Sequence, residues 1–240
     1  MKKYLIALAA IATMGFCGCE KWAGDPVTQE FSIDGSYTVL DVDDAFNVTV
    51  SDAVNQAVVT AGENVMSKVK VETSGNTLKI YLKGWNVSSG KMTVILPYNP
   101  ALTSVDLSGA SDFRSSFALT GQKVTVECSG ASDFYGCVEA EELDLDLSGS
   151  SDATIDGTAT KVDMSISGSS DLVRKIVDDH YSLVCTQCEC SLSGSSDAYI
   201  HCDGAITGSV SGSSELHYTG NASTTGCSTS GSSTLTRDVL

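Results

Sequence analysis

Six acidic residues recur at one position of a repeated motif. Asp112, Asp133, Asp152, Asp171, Asp197 and Glu215 each close a copy of Ser-Gly-(Ala/Ser)-Ser-(Asp/Glu). Carboxylates stacked one copy above the next repel, so such a column invites a divalent cation. Calcium takes several oxygen ligands, and serine hydroxyls or backbone carbonyls would complete its shell. The alternative is that each Asp caps its own turn and faces solvent, where screening is strong. The spacing differs from the glycine-rich nonapeptide calcium roll. The column gives no firm metal site.

Two other groups carry chemistry. His180, His201 and His217 are the only histidines. His201 and His217 fall near Tyr199 and Tyr218, so Tyr199, His201, His217 and Tyr218 together could line a polar, aromatic ligand groove for sugar. Scattered surface residues of these types need no such explanation. Beyond Cys17 and Cys19 there are seven cysteines: Cys128, Cys137, Cys185, Cys188, Cys190, Cys202 and Cys227. Cys185-Thr186-Gln187-Cys188-Glu189-Cys190 could clip a metal. Cys128, Cys188, Cys190 and Cys227 also take positions that hold Leu, Val or Ile in other copies, where a thiol packs as a small hydrophobe. Disulfides are a third use in an exported chain.

The elements that position these residues are strands. The motif glycines are Gly109, Gly130, Gly149, Gly168, Gly194, Gly212 and Gly231, at intervals of 21, 19, 19, 26, 18 and 19. Before each glycine, apolar residues alternate with polar ones, as in Leu143/Leu145/Leu147 against Asp144/Asp146. That is the period of a half-buried strand. Four residues after each glycine comes another apolar or small residue, such as Phe113, Phe134 or Leu172, which predicts a second short strand. Glycine supplies the positive φ of a sharp turn, and Ser and Asp bond nearby amides. One copy cannot bury its apolar face alone, whereas stacked copies make a continuous core. The expected architecture is all-β: a parallel β-helix, or solenoid, with about 20 residues per rung. The 26-residue interval predicts a loop around Val173 to Tyr181.

Residues 31–100 read as an irregular N-terminal β portion and residues 101–240 as the regular repeat. Asp43-Asp44 occupies a similar corner, and Val69/Val71/Thr73-Ser74-Gly75 matches the glycine register. Residues 1–19 read as a signal peptide: Lys2 and Lys3, then a short apolar run from Tyr4 to Phe16. Gly18 before Cys19 resembles a lipobox, which makes Cys19 the expected lipidation site. The chain would then be anchored to a membrane rather than spanning it. Residues 20–30 read as a tether.

Composition excludes several functions. The chain has 240 residues, 14 Lys+Arg and 30 Asp+Glu, for a net charge of −16. Without residues 1–19, 12 basic and 30 acidic residues remain, a net −18. Nucleic acid, which needs Lys/Arg clusters, is not an expected partner. A polyanionic substrate would be repelled. No nucleophile motif, phosphate loop or cofactor signature is present. No copy of the repeat is singled out as an active site would be, so no enzyme is expected.

The ordered blocks Phe46-Asn47-Val48-Thr49-Val50, Val69-Lys70-Val71-Glu72, Thr77-Leu78-Lys79-Ile80, Thr93-Val94-Ile95-Leu96-Pro97 and Val105-Asp106-Leu107-Ser108-Gly109-Ala110-Ser111-Asp112 carry a family resemblance. Over roughly residues 31–240 the chain resembles the bacterial family called putative auto-transporter adhesin, head GIN domain. The resemblance implies an exported β-helical protein, often a lipoprotein, in the bacterial cell envelope, with the outer membrane as the expected site. It carries over no catalytic residues. The reading is a non-catalytic, lipid-anchored, adhesin-like β-solenoid that binds a glycan or an envelope or host protein. The alternatives are a periplasmic structural or signalling accessory and a calcium-stabilised scaffold.

Overall fold

A computed structural model describes residues 23–34, 37–84 and 90–240. The expected signal peptide, Cys19 and the first residues of the expected tether lie outside the described residues. The remainder of that tether contains a strand, β1 (Pro26–Phe31).

The chain is all-β. The described strands form one sheet of seventeen strands and one of two. The only described helix is a single turn, α1 (Glu63–Met66), and no described helix is long and apolar enough to cross a membrane. In chain order the first strands after β1 are β2 (Val39–Val42), β3 (Phe46–Ser51), β4 (Ala57–Gly62), β5 (Val69–Ser74), β6 (Thr77–Leu82) and β7 (Met92–Pro97). Antiparallel pairs β1–β4, β4–β7 and β5–β6 mark this region off. Gly75, expected in the glycine register, instead turns the β5–β6 hairpin. The hairpin joins strands two residues apart, and Ser74 pairs with Thr77 across it. The corner at Asp43-Asp44 does stack on the repeats: Asp44 has a φ of 73°, and its carbonyl accepts from Ala110 N–H at 2.6 Å.

From Ser104 onward the pairing is parallel, apart from one inserted hairpin. The strands are β8 (Ser104–Leu107), β9 (Asp112–Cys128), β10 (Asp133–Leu147), β11 (Asp152–Ile166), β12 (Asp171–Leu172), β13 (Ile176–Val177), β14 (His180–Tyr181), β15 (Leu183–Leu192), β16 (Asp197–Val210), β17 (Glu215–Thr219), β18 (Ser223–Thr229) and β19 (Thr234–Arg237). The short strand expected after each glycine and the strand expected before the next one run together in β9, β10, β11 and β16. No residue between them is compelled to turn, so the chain bends without leaving the ladder. A register shift between Tyr135 and Cys137 and the positive φ of Gly157 mark such bends.

Register follows the glycine intervals. Leu107, Cys128, Leu147, Ile166, Leu192, Val210 and Thr229 are successive partners. A second file runs Val48, Phe113, Phe134, Ala153, Leu172, Ala198, Leu216 and Leu235. All these residues but Thr229 and Leu235 are buried, and together the two files form one continuous core. In-register alternation of this kind resists slippage, because a shift of one residue would expose the whole apolar set.

The turn motif does more than bend the chain. Its second serine points inward: Ser111, Ser132, Ser151, Ser170, Ser196 and Ser214 are fully buried. Ser151 Oγ donates to the Ser148 carbonyl at 3.0 Å and accepts the Ser132 amide at 3.3 Å. The same bonds recur at Ser132, which donates to the Ser129 carbonyl and accepts the Ser111 amide. At both, the hydroxyl satisfies a carbonyl of its own turn and an amide of the turn before, as buried polar groups require. The glycine is fixed by close approach as well as by φ. At Gly149 φ is 84°, and a Cβ there would lie 2.5 Å from the Gly130 carbonyl oxygen.

Candidate functional site

The outward residues after each corner form two columns. The first is the acidic one. Asp112, Asp133, Asp152 and Asp171 are direct partners in adjacent strands, as are Asp197 and Glu215. Asp171 and Asp197 join the two segments, since Asp197 N–H donates to Asp171 Oδ1 at 2.8 Å. The structure therefore brings all six expected acidic residues into one column. Burial raises the carboxyl of Asp152 above its usual range, and the neighbouring Asp133 and Asp171 push it the same way. Burial also raises Asp197, followed by Asp171 and Glu215. Like charges one strand apart thus favour keeping a proton. Among the described residues no group of three or more His, Cys, Asp or Glu side chains is arranged to hold a metal ion.

The second column stands two residues further along. Tyr199 and His217 are direct partners, with ring centroids 4.9 Å apart and planes 13° from parallel. Tyr181 meets Tyr199 at 5.4 Å and 76°. His217 Nδ1 lies 3.0 Å from Asp238 Oδ2, and Nε2 lies 3.1 Å from Glu215 Oε2. Tyr181 is buried, and its hydroxyl donates to the same Asp238 oxygen. Burial and this neighbouring carboxylate push the Tyr181 phenol up. His201 lies on the same outward side, bonded to Thr219 Oγ1 at 3.0 Å and to Asp203 Oδ2 at 3.1 Å. Its hydrogen bond holds the Asp203 carboxyl below its usual range.

Of the four residues expected to line a groove, Tyr199 and His217 are brought together and His201 lies beside them. Tyr218 is not among them. It pairs with Ile200, points to the interior and belongs to the core. Strand alternation requires this, because Tyr218 follows an outward residue directly. The residues that sequence reasoning passed over are Arg174, Tyr181 and Asp238. With Tyr199, His217, Val239 and Leu240 they line an open groove holding about 290 Å3 of space. The signal for two of them was the 26-residue interval. Its extra residues form the antiparallel hairpin β13–β14, exposed at Ile176 and Val177, with Arg174 and Tyr181 at its base.

All seven described cysteines are free thiols. Cys128, Cys188 and Cys190 face inward at Leu, Val and Ile positions, and burial pushes the Cys128 thiol up to about 12. Cys190 and Cys227 bring their sulfurs to 3.8 Å across Gly208, which has no side chain to separate them.

The family model described as putative auto-transporter adhesin, head GIN domain, matches residues 36–222. A crystal structure described as a putative adhesin from Bacteroides fragilis NCTC 9343 superposes with a TM-score of 0.70 at 18% identity, covering 89% of this chain and 96% of that one. One described in the same way from Parabacteroides merdae ATCC 43184 gives 0.68 at 20% identity, covering 90% and 98%. A protein from Parabacteroides distasonis ATCC 8503, described as a putative lipid binding protein, gives 0.62 at 20%, covering 90% and 98%. At these identities the likeness is one of fold. No curated protein matches the chain.

Proposed function

The chain belongs to the putative auto-transporter adhesin, head GIN domain family, and from that premise we propose that it is a non-catalytic, adhesin-like protein of the bacterial cell envelope. It is exported by residues 1–19 and held at the outer membrane by a lipid on Cys19. Its body is a parallel β-helix with about 20 residues per rung, irregular over residues 31–100 and regular over 101–240. It binds a glycan or a protein partner.

The observation that carries this reading is the register of the outward columns. Parallel pairing repeats one outward residue type on strand after strand, from Asp112 to Glu215, with Tyr199 and His217 beside the last of them. Such a surface suits recognition by many weak contacts whose effects multiply. Catalysis would need one copy set apart by a nucleophile or an acid–base pair, and the repeat distributes its carboxylates evenly. The family and the structures matched are named for adhesion or lipid binding rather than for a reaction.

The test is capture of the full chain on immobilised envelope proteins, host-surface proteins and mucin-type glycans, read against an unrelated acidic protein. Retention on at least one of these surfaces is the expected result. Absence of retention across the panel would overturn the binding role and leave a structural or signalling accessory.

A further inference from the structure

The groove beside the inserted hairpin is a place where the repeat is interrupted and unlike groups gather. Its charges are the first clue. Several lysines of the described surface are committed: Lys79 bridges Asp41 and Asp43, Lys123 bridges Glu142 and Asp144, and Lys161 lies between Asp163 and Glu189. Lys175, next to Arg174, pairs with Asp156. Arg174 itself makes no hydrogen bond or ion pair with any described residue, although it lines a groove that contains Asp238. A guanidinium offers five donors in a fixed fork. Here that fork is exposed in a chain of net charge −16 and is left for something else to use.

The same groove supplies an acceptor in Asp238. Asp238 and Glu215 flank His217, and the buried Tyr181 hydroxyl also holds Asp238. The Asp238 carboxylate is thus held in place before any ligand arrives and keeps lone pairs to offer. The rings form a scaffold rather than a platform. One face of Tyr199 is covered by His217, and Tyr181 crosses it nearly at right angles. The apolar side of the groove is aliphatic, from Val239 and Leu240, which are 94% and 42% exposed.

We infer that this groove binds an uncharged pyranose at the end of a glycan, with its hydroxyls shared between the Arg174 fork and the Asp238 carboxylate and its C–H face on Val239 and Leu240. A donor fork and an acceptor lining one groove match a hydroxyl, which is both. An anionic sugar would meet Arg174 but also the Asp238 carboxylate, with Glu215 behind it on the other side of His217. A cationic sugar would meet the guanidinium. A space of about 290 Å3 admits a single sugar ring rather than a longer chain lying flat. The inference rests on the partner-binding reading above and names the ligand class for that face.

The test is titration of the full chain with methyl glucoside, methyl galactoside and methyl mannoside, followed by ligand-observed NMR. Glucuronate and glucosamine serve as the anionic and cationic probes. The expected result is saturable binding of at least one neutral glycoside. It should change by less than about twofold as salt rises from about 0.05 to 0.5 M, since no net charge is paired. Arg174→Ala should weaken it about tenfold or more, the loss of a charged hydrogen bond. Lys161→Ala, outside the groove, should leave it within about twofold. Arg174 is exposed and bonded to nothing described, so the variant should melt with the parent. Binding of glucuronate or glucosamine alone, with steep salt dependence, would overturn the inference. So would binding indifferent to Arg174→Ala, or no binding of any neutral glycoside. If the Arg174→Ala chain is still captured on surfaces that capture the parent, the partner-binding role stands and only the groove assignment fails. If neither chain is captured, both fail.

Discussion

At the scale of single residues, the inward serine and the outward aspartate of one motif do opposite things to stability. Ser151 is fully buried between a carbonyl and an amide, so Ser151→Ala leaves both without a partner. The expected cost is about 1–3 kcal/mol, read as a lower melting temperature. Ser150→Ala, one residue away and exposed, should be close to neutral. Asp152 works the other way. Its carboxyl is raised by burial and by Asp133 and Asp171, so the folded state binds its proton more tightly than the unfolded chain does. Stability from this group therefore falls as pH rises from the ordinary Asp value, about 3.9, through the raised folded value. Asp152→Asn removes the repulsion and keeps an oxygen acceptor. Discounted for partial exposure, the expected gain at neutral pH is about 0.5 kcal/mol, vanishing below the ordinary Asp value. Parent and variant melting curves across that pH range give the comparison. A variant less stable than the parent at neutral pH would show that the column is held by something other than its own protons. The serine's burial was not legible in the sequence, because Ser150 and Ser151 are the same residue type and only the turn decides which one points inward.

At the scale of elements, the glycine sets the stack. Gly149 must adopt a φ of 84° and lie against the Gly130 carbonyl. Gly149→Ala meets both the left-handed penalty and a clash with backbone, neither of which a rotamer change can relieve. A loss of more than about 2 kcal/mol is expected, whereas Gly75→Ala, with nothing within 4 Å of its Cβ, should pay only for the φ of 61°. Equal losses at the two sites in denaturant unfolding would contradict the close-packed corner. Much of the strand pairing was legible because intervals between identical motifs translate directly into parallel register. Two things were not. The fusion of short strands into β9, β10 and β11 depends on how the chain bends between corners, and the glycines there, Gly121, Gly136 and Gly157, lie outside the motif and announce no register. The antiparallel hairpin at Gly75 imitates the motif locally, since Ser-Gly turns serve hairpins as well as stacked corners.

At the scale of the whole molecule, the groove collects Arg174 and Tyr181 from an insertion, Tyr199 from β16, His217 from β17 and Asp238 from beyond β19. Tyr199 and His217 share a repeat position, but Arg174, Tyr181 and Asp238 belong to no motif, so only the stacked fold brings them to that pair. The acidic column was legible for the opposite reason, because one motif position writes all of it. The proposed adhesin-like role carries one central claim, that this surface meets partners outside the cell. Protease treatment of intact cells expressing the protein, beside a lysed control, tests that claim most directly. The account predicts digestion on intact cells while a periplasmic marker survives. Protection until lysis would contradict it and place the columns and the groove inside the envelope.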